Sequence, residues 1–155
     1  MDKNIKLKME HEISRIEKLI NDVEPLLKLC KLKVPDIIEI SAAAQVLHSF
    51  YNGIESILIL FLKYLNEKLP NDLKWHKTLF EMAFGDNSKN IRIFEDEVKR
   101  DLEKYLLYRH FIRHTYSSEL DWEQMESMVN GLEKIWGKIK LYFEKLIINC
   151  YKEEK

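Results

Sequence analysis

Residues that break helices and form turns are scarce in this sequence. Only 4 Gly and 3 Pro occur among 155 residues, which argues against a turn-rich β sandwich or barrel. Hydrophobic residues, in contrast, make up 46% of the chain, so a disordered chain is excluded as well. The length suits one domain with one substantial core. We therefore predict a single folded domain over residues 1–155.

Cysteine, net charge and long apolar runs are scarce too. Cys30 and Cys150 form no CxxC pair, which gives no support to a zinc ribbon or a redox motif. The formal net charge of −1 indicates no general attraction to nucleic acid or to membranes. The longest apolar run, Ile57 to Leu62, is far shorter than the roughly 18 residues that span a bilayer, and the N-terminal segment has no signal-peptide pattern. We expect a soluble, cytoplasmic protein without a membrane partner.

Apolar residues recur at steps of three and four along most of the chain, which is the period of amphipathic helices. The pattern predicts four long helices and one short one. They cover residues 6–32, 36–68, 75–83, 90–116 and 121–151. Pro25 lies inside the first of them and should kink or divide it. The predicted fold is an all-α, up-down helical bundle.

The second predicted helix carries polar residues that a simple bundle does not need. Gln45, His48, Asn52 and Glu55 follow one another at steps of three, four and three, which places them along one helical face. Burying a carboxylate or an unpaired amide costs about 1–3 kcal/mol or more, so this stripe needs partners or water. Two interpretations remain open: a solvent-facing stripe, or a polar wall of a cleft in which Glu55 holds a cationic neighbour.

A denser polar cluster lies near the end of the fourth predicted helix. Arg109, Arg113 and Tyr116 fall within about 60° of one another on an ideal helix, and His110 and His114 form a second ridge beside them. Guanidinium groups suit a phosphate. A histidine such as His114 beside that phosphate would move a proton on and off a ribose hydroxyl.

The same residues permit other interpretations. A solvated basic face is the most common reason for a run of Arg and His. His110 and His114, one turn apart, would suit zinc, but no third ligand of convincing spacing accompanies them, so we expect no metal and no other cofactor. Phe111, Tyr105 and Tyr108 fit core or interface packing better than stacking on bases.

Residues 109–116 read Arg-x4-His-x-Tyr, which resembles the active-site signature of HepT-like toxins of the HEPN superfamily. Three ordered blocks carry the resemblance and cover most of residues 47–125. They are LHSFYNGIE at 47–55, LP at 69–70 with WHKTL at 75–79, and YRHFIRHTY at 108–116 with LDW at 120–122. The last block resembles the doubled Arg-His stretch of the family and the Leu-Asp-Trp that follows it.

The resemblance implies an all-α homodimer that is a metal-independent endoribonuclease toxin with an RNA substrate, tRNA or mRNA. The implied partner is a minimal nucleotidyltransferase antitoxin, which silences the toxin by adding AMP to the motif tyrosine. Carried over by position, Arg109 would stabilise the phosphate, His114 would act as acid and base, and Tyr116 would be AMPylated. Asn52 and Glu55 would support them from the second helix.

Two more residues, His110 and Arg113, fit the doubled Arg-His pattern and leave open which histidine transfers the proton. Arg109 and His114 lie about 140° apart on an ideal helix, so one chain holds them poorly around a single phosphate. Two copies across a two-fold axis would share one cleft, as the family's dimer implies, with the apolar second helix as part of the interface. The rival functions are a non-catalytic nucleotide- or partner-binding module and a structural helical protein.

Overall fold

The computed structural model describes residues 3–152, so the predicted domain limits at residues 1 and 155 lie outside it. Within the described residues the secondary structure is helical, with no β-strand. The six α-helices, numbered α1 to α6, are Lys3–Asp22, Glu24–Leu32, Ile37–Tyr64, Trp75–Ala83, Lys99–Arg113 and Trp122–Lys152. Single-turn 3₁₀ helices at Asp96–Val98 and Ser117–Glu119 flank α5. The all-α class is confirmed, with six helices in place of the predicted five.

The predicted first helix is divided at Val23, two residues before Pro25. α1 ends at Asp22, and α2 begins at Glu24 with Pro25 in its first turn. Proline has no backbone N–H, and it is tolerated there because the first N–H groups of a helix have no intrahelical acceptor. The single helix predicted over residues 6–32 is therefore two helices.

α3 begins at a sequence-encoded cap and ends earlier than predicted. The Asp36 carboxylate accepts the Glu39 backbone N–H at 2.8 Å, which stabilises the helix N-terminus. The helix ends at Tyr64, and Asn66 follows with a left-handed φ of 56°. Asparagine tolerates this conformation after a helix C-terminus. The helix therefore stops short of the predicted residue 68.

α5 is shorter than the helix predicted over residues 90–116. Residues 90–95 are not helical, and Asn90 has a left-handed φ of 52°. The Asn87 side chain holds this segment as a loop, because its amide donates to the Ile91 carbonyl and its oxygen accepts from the Ile91 N–H. Such side-chain bonds compete with a helix for the same backbone groups.

α3 is the central helix of the bundle and packs against all five other α-helices. Phe50 and Ile54 on it are fully buried, and burial of such a side chain contributes about 1.5–3 kcal/mol. Gly53 permits the close approach of α1, because a Cβ there would lie 2.7 Å from the Ile16 side chain. The apolar surface that the sequence analysis assigned to an interface with a second copy is thus largely covered by helices of the same chain.

α3 also has a high apolar content, but it carries Glu39, Glu55 and Lys63. Charged side chains are rare in membrane-spanning helices because their burial in lipid is costly. Among residues 3–152, no helix combines the length and the apolar composition that crossing a membrane requires.

Candidate active site

Three helices, α3, α4 and α5, bring polar side chains together in the interior of the bundle. Asn52 and Glu55 lie on α3, His76 on α4 and Arg109 on α5, and α3 contacts both of the other helices. Glu55, His76 and Arg109 are only 3%, 4% and 8% exposed. Burial of such groups is unfavourable unless they pair with one another. These four residues do so, and we call them the Arg109 network.

The guanidinium of Arg109 is held at two of its three nitrogens. Nε donates to Oδ1 of Asn52 at 2.9 Å, and Nη1 donates to Nε2 of His76 at 3.1 Å. Nε also lies 2.9 Å from Oε1 of Glu55, an ion pair without hydrogen-bond geometry. Nη2 makes no hydrogen bond with residues 3–152, and it is not among the enclosed atoms without a partner. This free edge of the guanidinium is the part that can reach a ligand.

The bonds of His76 determine its tautomer. Arginine can only donate, so Nε2 of His76 is the acceptor and the ring proton lies on Nδ1. Nδ1 then donates to Oε2 of Glu55 at 2.5 Å. Burial, together with the charges of Arg109 and Arg113, lowers the pKa of His76 to about 4. The ring is therefore neutral at physiological pH.

Glu55 is a buried carboxyl group. Burial raises its pKa, and the positively charged neighbours lower it. Burial raises the pKa of Glu55 to about 7, and Arg109 is the main influence in the opposite direction, followed by His110 and Arg113. The Nδ1–H of His76 and the guanidinium charge both favour the ionised form. The Arg109 network therefore holds a guanidinium directly beside a carboxyl group in the interior, with a neutral imidazole bonded to both.

The polar stripe of α3 changes from exposed to buried along the helix. Gln45 is exposed, His48 and Asn52 are half-buried, and Glu55 is buried. Asn52 connects the stripe to the network, because its Nδ2 donates to Nε2 of His48 at 3.0 Å while its Oδ1 accepts from Arg109. The outer end of the stripe thus faces solvent, and its inner end is a polar wall against the guanidinium.

The predicted residues that follow Arg109 on α5 are exposed. His110 is exposed, yet its ring packs against the His76 ring at nearly a right angle, with centroids 5.5 Å apart. Burial, His76 and Arg109 lower the pKa of His110. Arg113 makes no hydrogen bond or ion pair with the described residues, although its charge acts on His76. These two side chains border the Arg109 network on its solvent side.

His114 and Tyr116 are not bonded to the network. α5 ends before His114, whose φ of −120° and ψ of 8° are not helical. Tyr116 immediately precedes the 3₁₀ turn Ser117–Glu119 and is 79% exposed. In the part of the chain that the structure describes, no hydrogen bond, ion pair or ring contact joins either side chain to the network. Of the predicted site residues, the network contains Asn52, Glu55 and Arg109.

His76 is the residue that sequence reasoning missed. It stood in a block that resembles the family, but no role was assigned to it. The available signal was its position on α4, where Leu79, Phe80 and Ala83 follow at helical spacing and are buried. A histidine on an otherwise apolar face needs a partner when the face is covered.

Zinc binding by His110 and His114 requires at least one further protein ligand. Within residues 3–152, no group of three His, Cys, Asp or Glu side chains lies close enough to hold a metal ion. His76, whose ring contacts that of His110, uses both ring nitrogens for Arg109 and Glu55.

The fold and the site together define a class: an all-α protein with an arginine-centred polar site between three helices. A protein-family model described as HepT-like protein matches residues 42–149, which include every residue of the Arg109 network. The chain therefore belongs to the HepT-like family of the HEPN superfamily. Comparisons with curated proteins and with solved structures give no significant match.

Proposed function

We propose that this HepT-like protein is a cytoplasmic, metal-independent endoribonuclease and the toxin of a toxin–antitoxin pair that acts on tRNA or mRNA. The observation that carries the proposal is the held guanidinium of Arg109. Its Nε and Nη1 are bonded inside the protein, and its Nη2 is left free. A fixed cationic fork with one free edge suits a phosphate oxygen. Membership of the HepT-like family supports the same function.

The proposed reaction is attack of a ribose 2′-hydroxyl on its own phosphate. The 2′-oxygen forms a bond to phosphorus, the bond from phosphorus to the 5′-oxygen breaks, and a 2′,3′-cyclic phosphate remains. His114 takes the proton of the 2′-hydroxyl and returns a proton to the departing 5′-oxygen. Arg109 and Arg113 stabilise the negative charge on the phosphate oxygens. His110, which borders the network, is the alternative group for proton transfer.

We further propose that the active form is a homodimer. Within the described residues of one chain, no hydrogen bond or ring contact joins His114 to Arg109, and a second copy would bring another His114 to the phosphate. The outer face of α5 supports this arrangement, because Leu107 and Phe111 are 63% and 39% exposed and share helical spacing with His110. Large apolar side chains exposed together are typical of protein interfaces. A two-fold axis along this face would bring Arg109 of one copy near His114 of the other.

The proposed antitoxin is a minimal nucleotidyltransferase that modifies Tyr116. The exposure of Tyr116 beyond the end of α5 supports this proposal, because an enzyme must reach the hydroxyl. The tyrosine oxygen would attack the α-phosphate of ATP, with release of pyrophosphate. The attached AMP would add a phosphate charge close to the arginines that otherwise receive RNA.

Cleavage by the protein and its His114→Ala variant tests the proposed function. Each is incubated with total tRNA in EDTA, with His11→Ala as the matched control, since His11 is exposed on α1. We expect fragments with 2′,3′-cyclic phosphate ends from the wild type and the control, and a loss of at least about 100-fold in His114→Ala. Undiminished cleavage by His114→Ala would refute the role of this residue. If the wild-type protein has the mass of the unmodified chain and cleaves no tRNA, the proposal that it is an endoribonuclease is overturned.

The burial of Arg109 favours one second candidate function. Most of its guanidinium contacts protein groups, as is typical of arginines that stabilise a fold and do not bind a substrate. The chain would then be a non-catalytic nucleotide- or partner-binding module that docks to a nucleotidyltransferase. Such a module binds nucleotide or partner and leaves RNA intact, so the tRNA experiment separates the two functions.

A further inference from the structure

We propose that His76 is a positioning residue, which fixes the plane of the Arg109 guanidinium so that its free Nη2 edge points to the ligand. The catalytic part of this inference rests on the proposed function, while the positioning itself does not. Neither the family match nor the resemblance of the sequence assigns a role to His76. The inference follows from the bonds of its ring and from their directions.

His76 is itself held in place on several sides. Its Nδ1 donates to Glu55, its ring packs on the neighbouring Trp75 ring with centroids 3.4 Å apart, and the His110 ring meets it at nearly a right angle. A buried ring with these contacts cannot turn without breaking the bond to Glu55. The acceptor atom Nε2 therefore has a defined position in the site.

Arg109 needs such an acceptor because an arginine side chain has many rotamers. Ordering it costs up to about 2 kcal/mol of conformational entropy. The bond from Nε to Asn52 defines one point of the guanidinium, about which the group can still tilt. The bond from Nη1 to His76 adds a second point, and the two together define the plane and the direction of Nη2.

The neutral state of His76 matters for the same reason. A second carboxylate at this place, in addition to Glu55 beside Nε, would also accept from Nη1, but it would cancel more of the positive charge that attracts a phosphate. A neutral imidazole accepts the bond and leaves the charge in place. His76 thus orients the guanidinium without adding a second negative group to Glu55, whose Oε1 lies 2.9 Å from Nε of Arg109 and whose Oε2 fixes the tautomer of His76.

Two amide variants separate the two bonds of His76. In His76→Gln the side-chain oxygen reaches the place of Nε2 and accepts from Arg109, but the donor to Glu55 is lost. In His76→Asn the amide nitrogen takes the place of Nδ1 and donates to Glu55, but the acceptor for Arg109 is lost. A positioning role predicts opposite outcomes for the two variants, whereas a purely structural role of the buried ring predicts similar ones. His11→Asn on α1 is the matched control.

Cleavage of a short RNA under single-turnover conditions is the first readout. We expect His76→Asn to lose about 100-fold in rate, as for a misplaced catalytic group, with RNA affinity reduced much less. His76→Gln should stay within about tenfold of the wild type, because it keeps the bond that orients Arg109. Equal losses in both variants would overturn the positioning role.

Hydrogen exchange of the Arg109 Nη1–H, the group that bonds to His76, is the second readout, followed by NMR and assigned with Arg109→Lys. We expect slow exchange in the wild type and in His76→Gln, and faster exchange in His76→Asn. If the wild type cleaves no RNA, the proposed function fails, and this readout still decides the positioning role. The ¹⁵N shifts of His76 in the unaltered protein need no variant, and a proton on Nε2 rather than Nδ1 would overturn the inference.

Discussion

Arg109 and Arg113 lie one helical turn apart on α5, and the fold gives them opposite surroundings. Arg109 is buried and bonded to Asn52 and His76, with Glu55 as its counter-ion. Arg113 is exposed and has no hydrogen bond or ion pair within residues 3–152. A buried guanidinium is tolerated only with its partners, whereas an exposed one is solvated by water. Arg109 thus links α5 to α3 and α4 through its bonds, whereas Arg113, one turn later, is a solvated charge.

Replacing each arginine by alanine tests this comparison with the largest expected effect. Arg109→Ala leaves Glu55 buried without its counter-ion, and we expect a loss of about 3–5 kcal/mol in the free energy of unfolding. Arg113→Ala removes a solvated side chain, and we expect a change within about 0.5 kcal/mol. Urea denaturation followed by circular dichroism measures both. Similar losses in the two variants would show that the burial of Arg109 is not what distinguishes them.

Glu55→Gln tests how the partners of buried Arg109 affect stability. The pKa values of the two partners Glu55 and His76 are shifted in opposite directions. The pKa of Glu55 is raised from 4.5 to about 7, so the folded protein binds this proton more tightly and the contribution to stability falls as pH rises through this interval. The pKa of His76 is lowered from 6.5 to about 4, so the unfolded chain binds that proton more tightly. Its contribution therefore rises with pH between these values. In the wild type the two slopes oppose each other.

Of these two groups, only His76 still titrates in Glu55→Gln. We expect the free energy of unfolding of this variant to rise between pH 4 and 6.5, by up to about 1.4 kcal/mol per pH unit, while the wild-type curve is flatter. Urea denaturation at intervals of half a pH unit measures the slopes, with Glu126→Gln at an exposed position as the control. Parallel curves for Glu55→Gln and the wild type would contradict the opposed titrations.

Arg113 is expected to give the smallest effect, on the binding of RNA. If its free charge meets one phosphate, Arg113→Ala lowers the slope of log affinity against log salt by about 0.7 for a single strand. Arg100→Ala, another exposed arginine at the start of α5, should leave the slope unchanged. Titrations of labelled RNA at several salt concentrations, in a His114→Ala background that prevents cleavage, give both slopes. An unchanged slope in Arg113→Ala would remove this residue from the phosphate site.

Part of the candidate site was predictable from the sequence, and part was not. The polar stripe of α3 was visible in the sequence as polar residues at helical spacing. Whether it faces solvent or lines a cleft depends on what covers Asn52 and Glu55, which the sequence does not show. The run from Arg109 to His114 was visible as well, yet helical angles alone did not show that Arg109 points inward. His76 was missed because its helical spacing with buried residues of α4 indicates a covered face but does not show which polar side chains it meets there.

The sequence by itself determined the all-α class and the family, since helical periodicity and the ordered blocks between residues 47 and 125 are properties of neighbouring residues. Only the tertiary structure decided which arginine is buried, which histidine accepts a hydrogen bond from it, and where the loop after Asn87 replaces a helix. The physical reason is that burial and hydrogen bonding join α3, α4 and α5, whose contacting residues are distant in the chain. No local pattern records which of two similar arginines meets Glu55.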